Sequence, residues 1–326
     1  MQQFVMMVGL PGSGKDTFIK EDNYFNDFVI VSSDQIRKDK GYKQGEKKDV
    51  FELCRNNIVD SLSFEKDVVF NATNINSKHR INMLNLLHQK FNNVEYNCYV
   101  MTTPIKVCKE WNNKREGFDK VPEEVIDMMA RQFQIPMIGE GFDHIYFCQN
   151  NWRYFCDEDG KIKYEYISAD YDTVYEFDQD NPFHTLSLGS HMDKTFDYVC
   201  TRLGKAALHP KYCALLEAAL WHDIGKMVTK DYHDRKGNPT KTAHYYGHEN
   251  VGAYITLSEF PYIFNDIESD YDFYVKMATY INFHMRVSFT WRNYPNGKCA
   301  KREKKFFNEF DLKCLELLGE ADRQAH

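Results

Sequence analysis

Phe4-Val-Met-Met-Val8 running into Gly9-Leu-Pro-Gly-Ser-Gly-Lys-Asp-Thr17 decides how the first half of the chain folds. A short β-type run, a glycine-rich turn and a helical continuation fit G-x-x-x-x-G-K, a loop whose backbone N–H groups turn inward onto phosphate oxygens. Gly9, Gly12, Ser13 and Gly14 make the turn, and Lys15 adds a point charge near the β/γ bridge of a nucleoside triphosphate. Asp16 and Thr17 open the helix that follows, whose positive end points at the same place. Further β-type runs at Phe28–Val31, Val68–Phe70, Val94–Met101 and His144–Phe147 alternate with helical stretches. That spacing predicts an α/β domain over residues 1–150, a parallel sheet with helices on both faces.

The second run ends in Val31-Ser-Ser-Asp34-Gln-Ile-Arg37. A carboxylate at the C-terminal tip of a parallel strand lies in the crevice where ligands of such sheets bind. Asp34 is placed to take a proton from a hydroxyl, and Arg37 shares its helical face and suits a bidentate grip on an acceptor phosphate. The plainer alternative is an N-capping aspartate beside a surface arginine. Asn71-Ala-Thr-Asn74 follows the third run, and Lys109-Glu-Trp-Asn-Asn-Lys-Arg115 lies on a helical stretch ahead of Val121-Pro122. Arg115 suits closing over a transferring phosphate; a solvated basic face is the competing reading.

Together GLPGSGKDT, SSDQIR, NATN and WNNKR followed by VP, spread over most of residues 1–147, resemble the P-loop polynucleotide 5′-kinase family. The resemblance implies a P-loop kinase domain that uses ATP, or another NTP, with Mg2+. It implies Lys15 on the phosphates, Asp34 as general base for a 5′-hydroxyl, Arg37 on the acceptor phosphate and Arg115 as the lid arginine. Three positions depart from the family's pattern. Asp16 replaces a serine, Asn71-Ala72 stands where an acidic residue is common, and Trp111 stands where a second lid arginine often occurs.

Residues 151–179 read as a linker with a Tyr/Phe-rich, hairpin-like segment around Asp157-Glu-Asp-Gly160, and residues 180–326 read as mostly helical. That last part carries His191, His222-Asp223-Ile-Gly-Lys226, His248, His284 and Asp322. Imidazole and carboxylate together suit a borderline transition metal, and ligands on separate helices must converge inside a bundle to hold one. Unrelated histidines on apolar faces are the alternative, most of all for His284. The pattern and the string HDIGK resemble the HD-domain phosphohydrolases over residues 181–326. The resemblance implies an all-α HD domain with one or two divalent transition metals. His191, His222, Asp223 and Asp322 would hold one, Asp223, His248 and His284 a second, and Lys226 would neutralise substrate phosphate while coordinated water attacks phosphorus. Phe177 to Thr185 looks like the approach to the HD part of tRNA nucleotidyltransferases. His184 and His244 read as supporting or surface histidines. Lys298, Lys301, Arg302, Lys304 and Lys305 form a basic cluster, suited to a nucleic-acid backbone or simply a solvated loop.

Composition narrows the rest. The 326 residues carry a net charge of −7, with 19 basic and 21 acidic residues in 1–150 and 22 and 27 thereafter. Neither half is basic overall, so any grip on nucleic acid must be local. No apolar run approaches the ~20 residues that span a bilayer, so no membrane association is expected. No basic segment precedes the first apolar stretch, which argues against a signal peptide. Nine cysteines without a CxxC pair fit reduced thiols and a cytoplasmic location.

One site adds phosphate and the other removes it. On a small nucleotide that is futile, whereas the two ends of a broken polynucleotide need opposite treatment. The expectation is therefore an end-healing enzyme, a 5′-hydroxyl kinase joined to a 3′-phosphatase or 2′,3′-cyclic phosphate hydrolase. RNA ends are favoured over DNA as partners, because cyclic phosphates arise from RNA cleavage. Sealing would fall to a separate ligase, since no K-x-D-G string is present. Two alternatives stand beside it. One is a nucleoside or nucleotide kinase fused to an HD nucleotide phosphohydrolase. The other is an HD hydrolase regulated by a weakly active P-loop module.

Overall fold

The structure is a computed structural model that describes residues 1–43, 49–149, 171–182, 185–263 and 271–325. It contains two compact units, Met1–Ala130 with Pro136–Tyr154, and Arg131–Ile135 with Phe155–His326.

In the first unit β1 (Gln2–Val8), β2 (Val29–Ser32), β3 (Val68–Asn71), β4 (Val94–Met101) and β5 (His144–Cys148) form one sheet in the order β2-β3-β1-β4-β5. Every neighbouring pair is parallel. The helices between them are α1 (Lys15–Glu21), α2 (Ser33–Asp39), α3 (Val50–Ser63), α4 (Ser77–Lys90), α5 (Ile105–Asn113) and α6 (Glu123–Ala130). Phe4 to Val8 are fully buried, as are Val68 and Val69, which is what a central parallel strand covered on both faces requires. Chain order reverses at β1, which pairs β3 on one side and β4 on the other, so the crevice beyond the strand tips opens there. Behind the sheet tips Arg80 and Glu140, both side chains sealed from solvent, pair through two bonds of 2.7 Å, and Arg80 also donates to the Asn74 carbonyl. Each charge is matched and the guanidinium finds further acceptors, the condition under which a buried pair is tolerated.

The second unit holds α7 (Tyr171–Glu176), α8 (Leu188–Leu203), α9 (Cys213–Trp221), α10 (Lys226–Thr229), α11 (His248–Ser258), α12 (Phe260–Ile263), α13 (Tyr271–Met285), α14 (Lys298–Glu303) and α15 (Glu309–Gln324). A π-helical segment, Arg286–Trp291, continues α13, and β6 (Asp231–His233) pairs antiparallel with β7 (Pro239–His244). α8 packs on α9 and α15, and α11 packs on α13. The expected hairpin around Asp157 to Gly160, and His184, lie outside the described residues. Within the expected linker α7 buries Val174, and Gln179, beyond the helix, is buried as well.

The units do not follow chain order strictly, because Arg131–Ile135 belongs to the second. Side-chain amides clasp this piece of backbone. Asn250 Nδ2 donates to the Arg131 carbonyl at 2.7 Å, and Asn282 Oδ1 accepts from Ile135 N at 3.1 Å. Phe133 is fully buried, edge-on to Tyr254.

Candidate active sites

The first site is the loop from Gly9 to Gly14. Gly9 N donates to the Thr73 carbonyl at 3.0 Å, and Thr103 Oγ1 donates to the Ser13 carbonyl at 2.9 Å, so the tips of β3 and β4 pin the loop. Gly12 has φ +77°, and a Cβ there would lie 2.2 Å from the Cys108 carbonyl oxygen. Only glycine permits that approach of the loop to α5. Lys15 folds back over the turn, donating to the carbonyls of Gly9 (3.0 Å) and Leu10 (2.8 Å) and to Ser13 Oγ (3.3 Å). The side chain as a whole is half-buried but its amine is ringed by protein. That burial pushes the ammonium down to about 8, with neighbouring Asp16 acting in the opposite sense.

Asp16 and Thr17 are exposed beside the loop. Asp16 Oδ1 accepts from Asn71 Nδ2 at 2.7 Å, and Arg115 lies 3.7 Å from its Oδ2. Asp34 Oδ1 pairs with the Arg37 guanidinium at 2.9 Å; the Asp34 side chain is 52% exposed and that of Arg37 only 10%. Asp34 does not cap α2, because Ser32 takes that place and accepts from Gln35 N. The capping alternative is thereby removed, and Arg37 is not a surface arginine.

Arg115 follows α5, and Asn112 fixes the segment that carries it. The buried amide donates to the Val121 carbonyl at 2.7 Å and accepts from Val121 N at 3.0 Å, closing the turn. Sequence reading passed over Asn112 and Thr103, since a polar residue in a helix or at a strand tip gives no sign of what it will hold. Lys109 is bonded to Asp127 on the surface.

The second site is a cluster on five separate segments. His191 lies on α8, His222-Asp223 just after α9, His248 at the start of α11, His284 near the end of α13 and Asp322 near the end of α15. The Nε2 atoms of His191 and His222 are 3.2 Å apart, and each lies 3.4 Å from Asp223 Oδ2. Asp322 Oδ1 is 3.3 and 3.6 Å from the same two nitrogens. On the other side Asp223 Oδ1 is 3.0 Å from His248 Nε2 and 3.6 Å from His284 Nε2, and those nitrogens are 3.4 Å apart. His191, His222, Asp223 and Asp322 form one group able to hold an ion, and Asp223, His248 and His284 a second.

The ring orientations have one cause. Nδ1 of His191, His222, His248 and His284 faces the carbonyl of Ala325, Ala219, Tyr245 and Ile281 respectively, at 2.7 to 3.1 Å. A carbonyl only accepts, so each Nδ1 carries the proton and each Nε2 is aimed inward. Four Nε2 atoms gathered with two carboxylates form a donor set that suits a borderline divalent transition metal, and a proton on Nε2 lets the same imidazole donate to those carboxylates.

Charge behaves accordingly. Burial works against protonation of His191, but its bonds to Asp223 and Asp322 prevail and raise it to about 9. Burial lowers His222. His284 is raised, burial being outweighed by Asp223. Asp223 and Asp322 stay well below the usual carboxylate range in spite of burial, Asp223 through Lys226 and the imidazoles, Asp322 through His191 and His222.

Lys226, expected to face a substrate phosphate, is 4% exposed and turns onto Asp223 instead. Its ammonium donates to Asp223 Oδ2 and to Gln179 Oε1, both at 2.7 Å, because the HDIGK turn sets it one turn past the carboxylate. Gln179 is held in turn by the Leu186 carbonyl and by the Tyr245 hydroxyl. Gly225 permits the crossing, since a Cβ there would sit 2.0 Å from the His248 carbonyl oxygen. Ser288 Oγ, on the π-helical segment, donates to Asp322 Oδ2 at 3.0 Å. Ser288 had no sequence signal beyond lying near an expected ligand, and Gln179 lay in the Phe177–Thr185 stretch with nothing to mark it as the partner of Lys226. His244 stacks on Tyr246. In the basic cluster, Lys298, Lys301 and Lys305 are exposed and Arg302 lies 3.7 Å from buried Glu303.

A protein-family model described as an AAA domain matches residues 4–136. A curated relative in Acanthamoeba polyphaga mimivirus, "Putative bifunctional polynucleotide phosphatase/kinase", is 27% identical over 150 residues, 44% of this chain and 32% of that protein. Another, "Transcription factor bHLH140" of Arabidopsis thaliana, is 24% identical over 204 residues, 60% of this chain and 19% of that protein. The chain thus spans about a third or less of the length of these curated relatives. The solved structure of the Pnkp1/Rnl/Hen1 RNA repair complex is similar at 18% identity and TM-score 0.35, over 40% of this chain and 43% of that one. The matched region and its five-stranded parallel sheet make the first unit a kinase-like P-loop domain. Among the described residues no helix is long and apolar enough to cross a membrane.

Proposed function

We propose that the chain heals broken polynucleotide ends, with an ATP-dependent 5′-hydroxyl kinase in the first unit and a metal-dependent 3′-phosphatase or 2′,3′-cyclic phosphate hydrolase of the HD type in the second. The observation that carries this reading is the Asp223 carboxylate. Its two oxygens each face a pair of inward-aimed imidazoles, in a chain that also carries a phosphate-binding loop. The similarity to a mimivirus protein named as a polynucleotide phosphatase/kinase supports it.

In the kinase site Lys15 leaves the carbonyls of Gly9 and Leu10 for the phosphates of ATP, and Mg2+ when bound neutralises the charge between them. Asp34 accepts the proton of the 5′-hydroxyl as its oxygen bonds to the γ-phosphorus, the bridge to the β-phosphate breaks and ADP leaves. Arg37, ion-paired with Asp34, aligns that base and holds the acceptor's own phosphate, while Arg115 stabilises charge on the transferring group.

In the second site divalent metals, when bound, supply Lewis acidity and a water of lowered pKa. His191, His222, Asp223 and Asp322 would hold one and Asp223, His248 and His284 the other. Lys226 orients the shared carboxylate. RNA is the favoured substrate because its 2′-hydroxyl generates cyclic phosphate ends, and a separate ligase would join what this chain has healed.

The test is an oligoribonucleotide with a 5′-hydroxyl and a 3′-phosphate, offered with γ-labelled ATP and a divalent metal. The reading requires label at the 5′ end and release of the 3′ phosphate. Label entering a mononucleoside but not the oligonucleotide would overturn it in favour of a nucleoside kinase.

A further inference from the structure

Two departures in the first site, Asp16 and Asn71, each look like a loss when taken alone. In P-loop enzymes the position after the lysine is a serine or threonine on Mg2+, and a second strand supplies an aspartate. This chain has a carboxylate at the first position and an amide at the tip of β3, the strand beside the loop strand. The two side chains are bonded to each other. Asn71 Nδ2 donates to Asp16 Oδ1 at 2.7 Å across 55 residues of sequence. A carboxylate only accepts, so this contact sets the amide's orientation. Asn71 is buried at the strand tip, level with Met7 of β1 and Ser32 of β2, whereas Asp16 is exposed beside the loop.

We infer that the two positions have exchanged roles, so that Asp16 supplies the carboxylate toward the nucleotide's Mg2+ and Asn71 is the positioning residue that holds it. The inference rests on the kinase reading of this unit. One carboxylate is conserved by the exchange, and so is one neutral polar partner. Oxygen donors are what a small, hard cation takes: Asp16 offers a carboxylate and Thr17, next along the chain, a hydroxyl. The second Asp16 oxygen faces Arg115 at 3.7 Å, so the carboxylate is oriented at both ends. An exposed carboxylate beside a triphosphate repels it, and a cation between them reverses that sign. Nucleotide affinity should therefore depend on Mg2+ more steeply than in a site that begins with a serine.

The experiment is calorimetric titration of ATP into the full chain, with and without Mg2+. The proteins are wild type, Asp16→Ser, Asn71→Asp and the double exchange Asp16→Ser/Asn71→Asp. Wild type should bind ATP about tenfold or more tightly with Mg2+ than without. Asp16→Ser should lose most of that enhancement, because the serine is left with no carboxylate at either position, yet bind metal-free ATP more tightly, because a repelling charge has gone. Asn71→Asp sets two carboxylates side by side and should weaken metal-free ATP binding. The double exchange should recover the Mg2+ enhancement lost in Asp16→Ser. Enhancement undiminished in Asp16→Ser, equal weakening of ATP with and without Mg2+ in that variant, or a double exchange no better than Asp16→Ser would each overturn the inference. A wild-type chain that binds no ATP under either condition would remove the kinase reading itself and the inference with it.

Discussion

Asp223 turns one carboxylate oxygen to His248 Nε2 at 3.0 Å and the other to Lys226 Nζ at 2.7 Å, so one buried side chain divides the cluster in two. A carboxylate 2% exposed keeps its charge only where cations or donors surround it. Lys226 and the imidazoles provide that surrounding.

Asp223 should thus be indispensable to one unit and irrelevant to the other. Asp223→Ala should abolish bound transition metal and lower phosphate release about a hundredfold or more, while 5′ phosphorylation persists. Metal analysis beside the paired end-healing assay reads both. Loss of both activities together would point to misfolding or to one composite site.

Ser288 should tune the cluster without belonging to it. Removing its hydroxyl leaves Asp322 Oδ2 without that donor, and Ser288→Ala should weaken metal affinity roughly tenfold. Competition with a chelator measures this, and Ser288→Thr should restore most of the affinity.

The Lys15 amine, lowered to about 8 by burial in its loop, should impose a pH dependence on nucleotide binding. Below that value it is charged and ready for phosphate; above it, ATP must bring a proton in. ATP affinity should therefore fall about tenfold for each pH unit above 8 until the bound-state pKa is reached. Lys15→Arg, which stays charged, should flatten that fall even if it binds less well throughout.

Gly225→Ala tests the crossing between the HDIGK turn and α11. The added Cβ would press on the His248 carbonyl and cost about 1–3 kcal/mol, lowering the unfolding temperature by several degrees. Metal content should drop with it, because the shifted carbonyl begins the helix that carries His248. ATP binding should be unchanged, and thermal denaturation with metal analysis distinguishes the two effects.

The central strands β1 and β3 were legible because buried parallel strands are written as continuous apolar runs, the others as short β-type runs between helical stretches, and all observed ends lie within two residues of the expected ones. The Gly9 to Thr17 loop was legible because its chemistry lies within nine consecutive residues. The six metal-ligand candidates were legible as residue types, since His222-Asp223 and its neighbours stand out locally. The function of Lys226 was not: an ammonium three residues after an aspartate can face a substrate or turn back, and Gln179, 47 residues upstream, helps hold it turned back.

By itself the sequence determined which segments could be strands and helices and which side chains carry chemistry, because both depend on neighbours a few residues away. Tertiary structure alone decided which of them meet. The carbonyls that orient His222, His248 and His284 lie only three residues upstream of each ring and are local, but Asp16 finds Asn71 at the tip of β3, Ser288 finds Asp322 on α15, and His191 finds the Ala325 carbonyl only through the fold. Such encounters are set by how strands and helices pack, and no local pattern of residues encodes the 3 Å at which a donor reaches its acceptor.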